Sequence, residues 1–581
     1  MSYDASKVAS GREPFQIVEI DLDTCSLTYG VGACTASGAS GSECYNTRST
    51  CQDTANYTKA TKTYRFCTSG ARLPIGDTLI PCLNSVRLRS PEINPVESIC
   101  VRGSASVTFN DFPHHDRGID PYVANRSYDA DSQGTFFGKL KARNPYYVGR
   151  TMRVYTGFYT DPFDTANFLV HVYQIESISG IDSSGKVTIK AKDPLALTKK
   201  EKPNCPIASS GVLLAAITGT PSTFTLTPTG VGNLEYDASG YVRIEDEIIQ
   251  FTRSGDVMTV VSRATWGSTS DDHAIDEKVQ QCKSWSATNV VDILTDLITD
   301  FTDISTGYID TSGWAAQKAS FLSPQNLTNI ITEPTGVDKI LNELIRDNLF
   351  DLWWDDRNSL IKIRSFIPVN VNSPPAPLGD RYNFIKGKTK QADRQDKLVT
   401  QVRVIYEPRD YTSKSDEKDF GYAYIAANTD SEGVDQYNEK RIKTIKTSWF
   451  SSANRGLAIS LASRLLQRYN SAPIELSFAL DVKDDDLAIA DNFRTDTRAH
   501  QDIDGSNKDV WMQVISVQDD AKNASVNYKA LSLELVGPYG FIAPNSTPDY
   551  GSASAAEKAG YGFICLDTGL FSNGDDGYLI I

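Results

Sequence analysis

The sequence predicts a mainly β, multidomain protein with some α-helix, and three observations carry that prediction. At 581 residues the chain is several times the usual domain size, so it can bury more than one core. Tyr (27) and Phe (23) far outnumber Met (4) and His (5), a balance that favours sheets and interfaces over helical bundles. Period-two alternation in stretches such as VHVYQIESI and KVTIKA marks half-buried antiparallel strands.

Residues 1–82 form an N-terminal strand and a cysteine-rich segment. The strand, 14–22 (PFQIVEIDL), alternates and is rich in β-branched residues. From 23 to 82 the cysteines sit among Gly, Ser, Thr and Asn, with too few large aliphatics for an ordinary core. A first β domain follows at 83–202, with strands expected at 85–89, 105–109, 151–158, 167–178 and 186–191. Residues 203–285 are read as an inserted β module, entered at Pro203-Asn204-Cys205-Pro206. Its runs 247–253 and 257–263 form a hairpin bending at Ser254-Gly255-Asp256. An α+β segment, 286–380, carries amphipathic helices at 288–301 and 337–349, where Val, Ile and Leu recur at three- and four-residue spacings. A hairpin over 351–366, turning at 356–358, closes that segment. The second β domain, 381–540, is interrupted by a helix at 452–469. The C-terminal extension, 541–581, is rich in Gly, Ser, Asp and Asn and ends in the strand-like GYLII.

Charge and motifs narrow the function. A formal charge of −15 argues against a protein that grips a phosphate backbone, since that affinity comes from Lys and Arg; DNA would slide past an acidic wall. No stretch approaches the roughly 18 consecutive apolar residues of a membrane span. The start, MSYDASKVASGREPFQIVEIDL, lacks the charged-then-apolar layout of a secretory signal, so synthesis in the cytosol is expected. No GxSxG, HExxH, Walker or dinucleotide motif is present, and no enzyme is predicted. Adjacent His114 and His115 point in different directions and have no third ligand at a metal-site spacing, so loop hydrogen bonding is expected. His171 is read as a core or interface residue, His273 as a turn cap, and Asp484-Asp485-Asp486 as a solvated turn. Trp353 and Trp354, adjacent on a strand, face opposite sides and cannot make one sugar platform; one is expected in the core and one at an interface. In the 452–469 helix, Leu457, Leu461, Leu465 and Leu466 alternate with Arg455, Arg464 and Arg468, which predicts a packing helix with a charged face.

The cysteines are the exception to these bland readings. Seven of ten lie between Cys25 and Cys100. Eight residues separate Cys25 from Cys34, six separate Cys44 from Cys51, and nine separate the two pairs; Cys67 follows in YRFC. In a reducing cytosol such a group ligates metal or an iron–sulfur cluster more often than it forms disulfides. Ligation would order a loop that hydrophobic burial cannot. Disulfides formed after release into oxidising surroundings are the alternative, and spacing leaves both open.

The stretches SVRLRSPEINPVESICVRGSASVTFNDF, RGIDPYV, GTFFGKLKARNPYYVGRTMRVYTG and KVTIKAKDPLAL resemble the first hub domain of tail tip, or baseplate hub, proteins of long-tailed siphophage-type bacteriophages and gene transfer agents. The insertion is similar to a hairpin module common in phage tail proteins, with Trp266-Gly267-Ser268 at the turn, and residues 473–535 resemble the second hub barrel. The resemblance covers most of residues 14–540. It implies two tail-tube-like β-barrels per chain, at 83–202 and 381–540, so that a homotrimer presents six. It further implies a structural hub at the virion tail tip, partnered by the distal tail protein, the tape measure protein and a central fibre or spike. DNA would pass through without specific binding, and ejection would be gated mechanically. Lambda-like tail-tip proteins carry an iron–sulfur cluster on four cysteines, which implies a [4Fe-4S] cluster on Cys25, Cys34, Cys44 and Cys51. Here the gap between the pairs is shorter than in the lambda-like pattern, and Cys67 is an alternative ligand. Two other functions are weighed: a tail-associated cell-wall hydrolase, and a receptor-binding module using the insertion and the C-terminal extension.

Overall fold

Nine short strands build the N-terminal part of the chain in a computed structural model. They are β1 (Pro14–Cys25), β2 (Lys59–Thr68), β3 (Ile80–Arg89), β4 (Glu92–Asn94), β5 (Ser98–Val101), β6 (Ser104–Asn110), β7 (Thr151–Phe158), β8 (Leu169–Ile178) and β9 (Lys186–Lys192). Seven of them close into a barrel in the order β1-β2-β3-β6-β9-β8-β7. The structure describes residues 3–8, 13–37, 43–70, 78–95, 98–199, 203–366, 375–381, 383–429, 431–433, 436–520, 523–533, 541–542, 549–554 and 561–562. Most of the C-terminal extension therefore lies outside the described residues.

Alternation fills the barrel. Val18 and Ile20 of β1, Phe66 of β2, Val107 and Phe109 of β6 and Val154 of β7 are buried, and their neighbours face outward. Helix Phe136–Arg143 adds Phe136, Phe137 and Leu140 to the same core. The barrel begins at β1 and not at residue 83, because the strands on both sides of the cysteine loop are barrel staves. Composition hides this: β2 (KATKTYRFCT) looks polar, yet Tyr64 and Phe66 supply its inward face.

The second β region forms an eight-stranded sheet. Its main path runs Leu378–Gly379, Asn492–Gln501, Asn507–Asp520, Ser525–Ser532, Ile474–Asp481 and Lys390–Asp393. The other two strands are β4 and β5, which leave the barrel so that Glu92 pairs with Ser516. Lys529 forms an ion pair with Glu92 at 2.8 Å, and the Tyr469 hydroxyl donates to the Pro95 carbonyl at 3.0 Å. The two β bodies are thus laced together by backbone.

A buried polar knot ties them a second time. The hairpin of Phe350–Asp355 and Leu360–Ser365 carries Asp356 and Arg357 at its turn. His171 Nδ1 of β8 lies 3.1 Å from Asp356, and its Nε2 lies 3.6 Å from Asp519. Arg357 bridges Asp519 at 2.6 Å and Asp485 at 2.9 Å, and Tyr528 donates to Asp485. Asp485 is therefore no part of a solvated turn: its side chain is 2% exposed because Arg357 and Tyr528 satisfy it. His171 occupies the interface expected of it.

Between these bodies lies the α+β segment, whose helices Val290–Phe301 and Val337–Asn348 bury their apolar stripes in the largest core. Trp353 and Trp354 are both buried in that core, since helix Val337–Asn348 and strands β4 and β5 all pack on their strand. The expected interface ring is absent for that reason. Helix Arg455–Tyr469 packs as expected, but Arg468 is buried: its guanidinium lies 4.4 Å from the Phe366 ring and donates to Gln513 at 2.8 Å. The helix covers a three-stranded sheet in which Gln401–Pro408 is flanked by Phe420–Ala427 and Ile442–Thr447. No helix among the described residues is long and apolar enough to cross a membrane.

The inserted module has its own six-stranded sheet and its own core, including Phe224, Val242, Ile249, Phe251 and Met258. His273 is held between Glu245 at 2.9 Å and Glu247 at 3.0 Å, which ties the last loop to the central hairpin. The module docks where Ile248 and Cys282 meet Ile330 and Tyr411, with Trp266 edge-on to Tyr411 at 5.1 Å. Gly267 has φ +77°, and a Cβ there would lie 1.9 Å from the Arg409 carbonyl oxygen. Gly267→Ala is expected to undock the module without unfolding its separate core. Limited proteolysis would then cut near residues 203–206 and 282–285 faster than in the wild type; unchanged cutting would show that the docked surface gives way.

Candidate metal centre

The loop between β1 and β2 gathers four of the five candidate cysteines. Cys25 is the last residue of β1; Cys34, Cys44 and Cys51 follow in the loop, and all four line one small cavity of about 20 Å³. Tyr29, Asn46 and Asp53 line it too. Among the described residues no three His, Cys, Asp or Glu side chains converge as closely as a single bound ion requires. The four cysteines line that cavity together, and thiolate is a ligand type of both zinc and iron–sulfur centres. No disulfide joins Cys25, Cys34, Cys44 or Cys51 to one another.

Hydrogen bonds shape this loop in place of apolar packing. The Cys25 amide donates to the Asn46 carbonyl at 2.7 Å, and the Thr24 hydroxyl donates to the same oxygen at 2.8 Å. Asn46 sits at φ +54°, a left-handed turn that Asn tolerates, and its amide approaches Cys44 Sγ at 3.4 Å. Asp53 accepts from the Thr35 amide at 2.6 Å and from Asn56 at 3.1 Å, and these bonds hold its carboxyl below the usual range. Burial pushes the Cys44 thiol up, and nearby Cys51, Cys25 and Cys34 add to that against the Asn46 hydrogen bond. Cys44 in this setting resists ionisation; a bound cationic metal centre reverses that balance.

A second loop, between β6 and β7, braces the first. Tyr45 lies between two guanidiniums, Arg126 at 3.7 Å and Arg143 at 4.2 Å from its ring centre. Arg126 also donates to the Cys44 carbonyl at 2.7 Å and forms a bidentate pair with buried Asp120. Arg143 and Lys139 share buried Asp116 at 2.6 and 2.9 Å. The Tyr29 amide donates to the Tyr122 hydroxyl at 2.8 Å. Sequence reasoning missed this bracing, since its partners lie roughly eighty residues apart (Cys44 and Arg126) and follow no spacing rule.

Cys67 stands apart from the four. It faces the other side of β2, fully buried with Phe15, Ile17, Leu79 and Phe168. The His114 and His115 rings sit 4.5 Å apart, and each accepts a backbone amide, from Asp116 and Arg117 respectively, as a loop-shaping pair does.

No family model and no curated protein matches the chain. Solved structures do match. The 43 kDa tail protein of prophage MuSo2 from Shewanella oneidensis aligns at 9% identity and TM-score 0.35, over 77% of this chain and 98% of that one. The tail protein from Neisseria meningitidis MC58 aligns at 10% identity and TM-score 0.34, over 77% of this chain and 96% of that one. A chain of a native gene transfer agent virion aligns at 11% identity and TM-score 0.28, over 66% and 82%. A chain of the Francisella PdpA–VgrG complex aligns as well, at 10% identity and TM-score 0.32, over 94% of this chain and 57% of that one.

Proposed function

We propose that this chain is a structural hub of a phage tail tip, assembled as a homotrimeric ring that joins the tail tube and distal tail protein to a central spike or fibre and gates DNA exit. One observation carries the reading: a closed barrel and a second large sheet are locked into one body by β4 and by the Arg357 knot. Two fixed β bodies per chain are what converts three-fold symmetry at the tip into a six-fold match with a tube. The polar residues that suggest catalysis are spent on structure, His171 and Asp485 in the knot and His273 within the module. A four-iron cluster on Cys25, Cys34, Cys44 and Cys51 would staple the loop that burial alone leaves underdetermined.

The net charge of −15 favours a lumen that repels DNA and lets it slide. Antibody to the chain is expected to label the tail tip in negative-stain images of virions, and purified protein should show three-chain mass and no zymogram activity. Labelling along the tail tube, or clearing of cell wall on the gel, would sink the hub reading.

A further inference from the structure

One of the four candidate ligands is held differently from the others. Cys44 is the buried member of the group, 8% exposed, while Cys25, Cys34 and Cys51 are half-buried. The short limb that carries it is fastened at both ends. On one side the Asn46 carbonyl accepts from the Cys25 amide at 2.7 Å, which ties the limb to the end of β1. On the other side the fastening comes from Arg126, 82 residues away in the chain.

Arg126 makes its contacts from a closed position. Its side chain is 1% exposed and that of Asp120 is 0% exposed. Nε and Nη2 of Arg126 donate to the two Asp120 oxygens at 2.6 and 2.7 Å, and Nη2 also reaches the Cys44 carbonyl at 2.7 Å. The same guanidinium covers the Tyr45 ring at 3.7 Å. A planar fork can bond a carboxylate, bond a carbonyl and stack on a ring at once; a lysine ammonium, a point charge on a flexible stem, cannot.

The consequence is felt at the sulfur. With the Cys44 carbonyl and the Tyr45 ring fixed, the chain turns through Asn46 at φ +54° and brings the Asn46 amide to Cys44 Sγ at 3.4 Å. An N–H directed at sulfur favours the thiolate that a metal needs, and hydrogen bonds to sulfur are among the controls on the potential of an iron–sulfur centre.

We infer that Arg126 is a positioning residue of the metal centre: it orients the Cys44 limb so that the thiol stays on the shared cavity and keeps its N–H···S bond, and it thereby governs how firmly the centre is held and at what potential it is reduced. The inference rests on the cluster reading above and adds to it a residue from outside the cysteine loop. The competing role is a clip that joins two loops and leaves the centre unaffected.

The experiment compares full-length wild type, Arg126→Gln and Arg126→Lys, all purified without oxygen, with circular dichroism and hydrogen exchange on β6 to β9 as fold controls. Iron loss to excess chelator should be at least roughly tenfold faster in both variants. The midpoint potential of Arg126→Gln should also fall, because a cation and an N–H···S bond beside the centre both favour its reduced form. Should Arg126→Gln fail the fold control, Asp120→Asn carries the same test, since it leaves the guanidinium in place and loosens its anchor. Variants that keep the wild-type rate of iron loss would overturn the positioning role and leave the cluster standing. Faster loss at an unchanged potential would make Arg126 a clip and overturn it too. Wild-type protein that holds no iron would remove cluster and inference together.

Discussion

Protein purified without oxygen is expected to be brown, with about four iron atoms per chain, and Cys→Ser at position 25, 34, 44 or 51 is expected to bleach it. The effect is large because the described part of the loop is held by polar and aromatic contacts and not by an aliphatic core. Between β1 and β2 its contacts are hydrogen bonds and the Tyr45 stack, and each such bond contributes about 1 kcal/mol net, against a backbone ordering cost of roughly 1–2 kcal/mol per residue. Hydrogen exchange over residues 26–58 should rise in every ligand variant while β6 to β9 stay protected. Cys67→Ala is the matched control: it removes a thiol from the Phe15 core and should leave the colour intact. Colourless anaerobic protein that lacks iron and shifts in mobility on reduction would make these cysteines disulfide staples.

The second large effect is expected at the knot between the β bodies. Arg357→Ala leaves Asp485 and Asp519 facing each other in the interface without a cation, and breaking a buried pair from one side costs about 3–5 kcal/mol. Urea midpoints should fall accordingly, and exchange should rise on both β8 and Asn507–Asp520. A loss confined to one body would mean that the knot does not join them. His171 adds a pH dependence. Burial disfavours its charged form, but Asp356 and then Asp519 outweigh burial and raise its pKa above the ordinary 6.5. Stability from this group is therefore complete below about pH 6.5 and is lost as pH rises through the folded value. His171→Gln should flatten the fall in stability as pH rises above about 6.5 relative to the wild type; an identical slope would show that other groups govern it.

The sequence made the strands legible because alternation is local: 151–158 coincides with β7, and the hairpin turning at 356–358 forms where it was expected. It made the four thiols legible as a group, since their density in a polar loop needs no knowledge of the fold. Long-range features were not legible. Nothing near Arg468 announces that Phe366 and Gln513 will enclose it, and nothing in KATKTYRFCT announces a barrel stave. Asp485 in a run of three acids carries the local signature of a wet turn, and only the distant Arg357 and Tyr528 reverse it. Local pattern fixes periodicity; burial of charge is decided by partners that sequence distance conceals.

The excursion of β4 into the second sheet also sets an order of events on the ribosome. All seven barrel strands are synthesised before residue 200, so the barrel can close early. Glu92 waits for Lys529, its ion-pair partner 437 residues downstream. Throughout most of translation β4 and β5 are a dangling flap with an open edge, the kind of surface that invites wrong pairing or a chaperone. Growing chains halted before residue 507 should therefore carry a finished barrel and an unsatisfied flap, and strands Asn507–Asp520 and Ser525–Ser532 act as the clasp that ends this exposure.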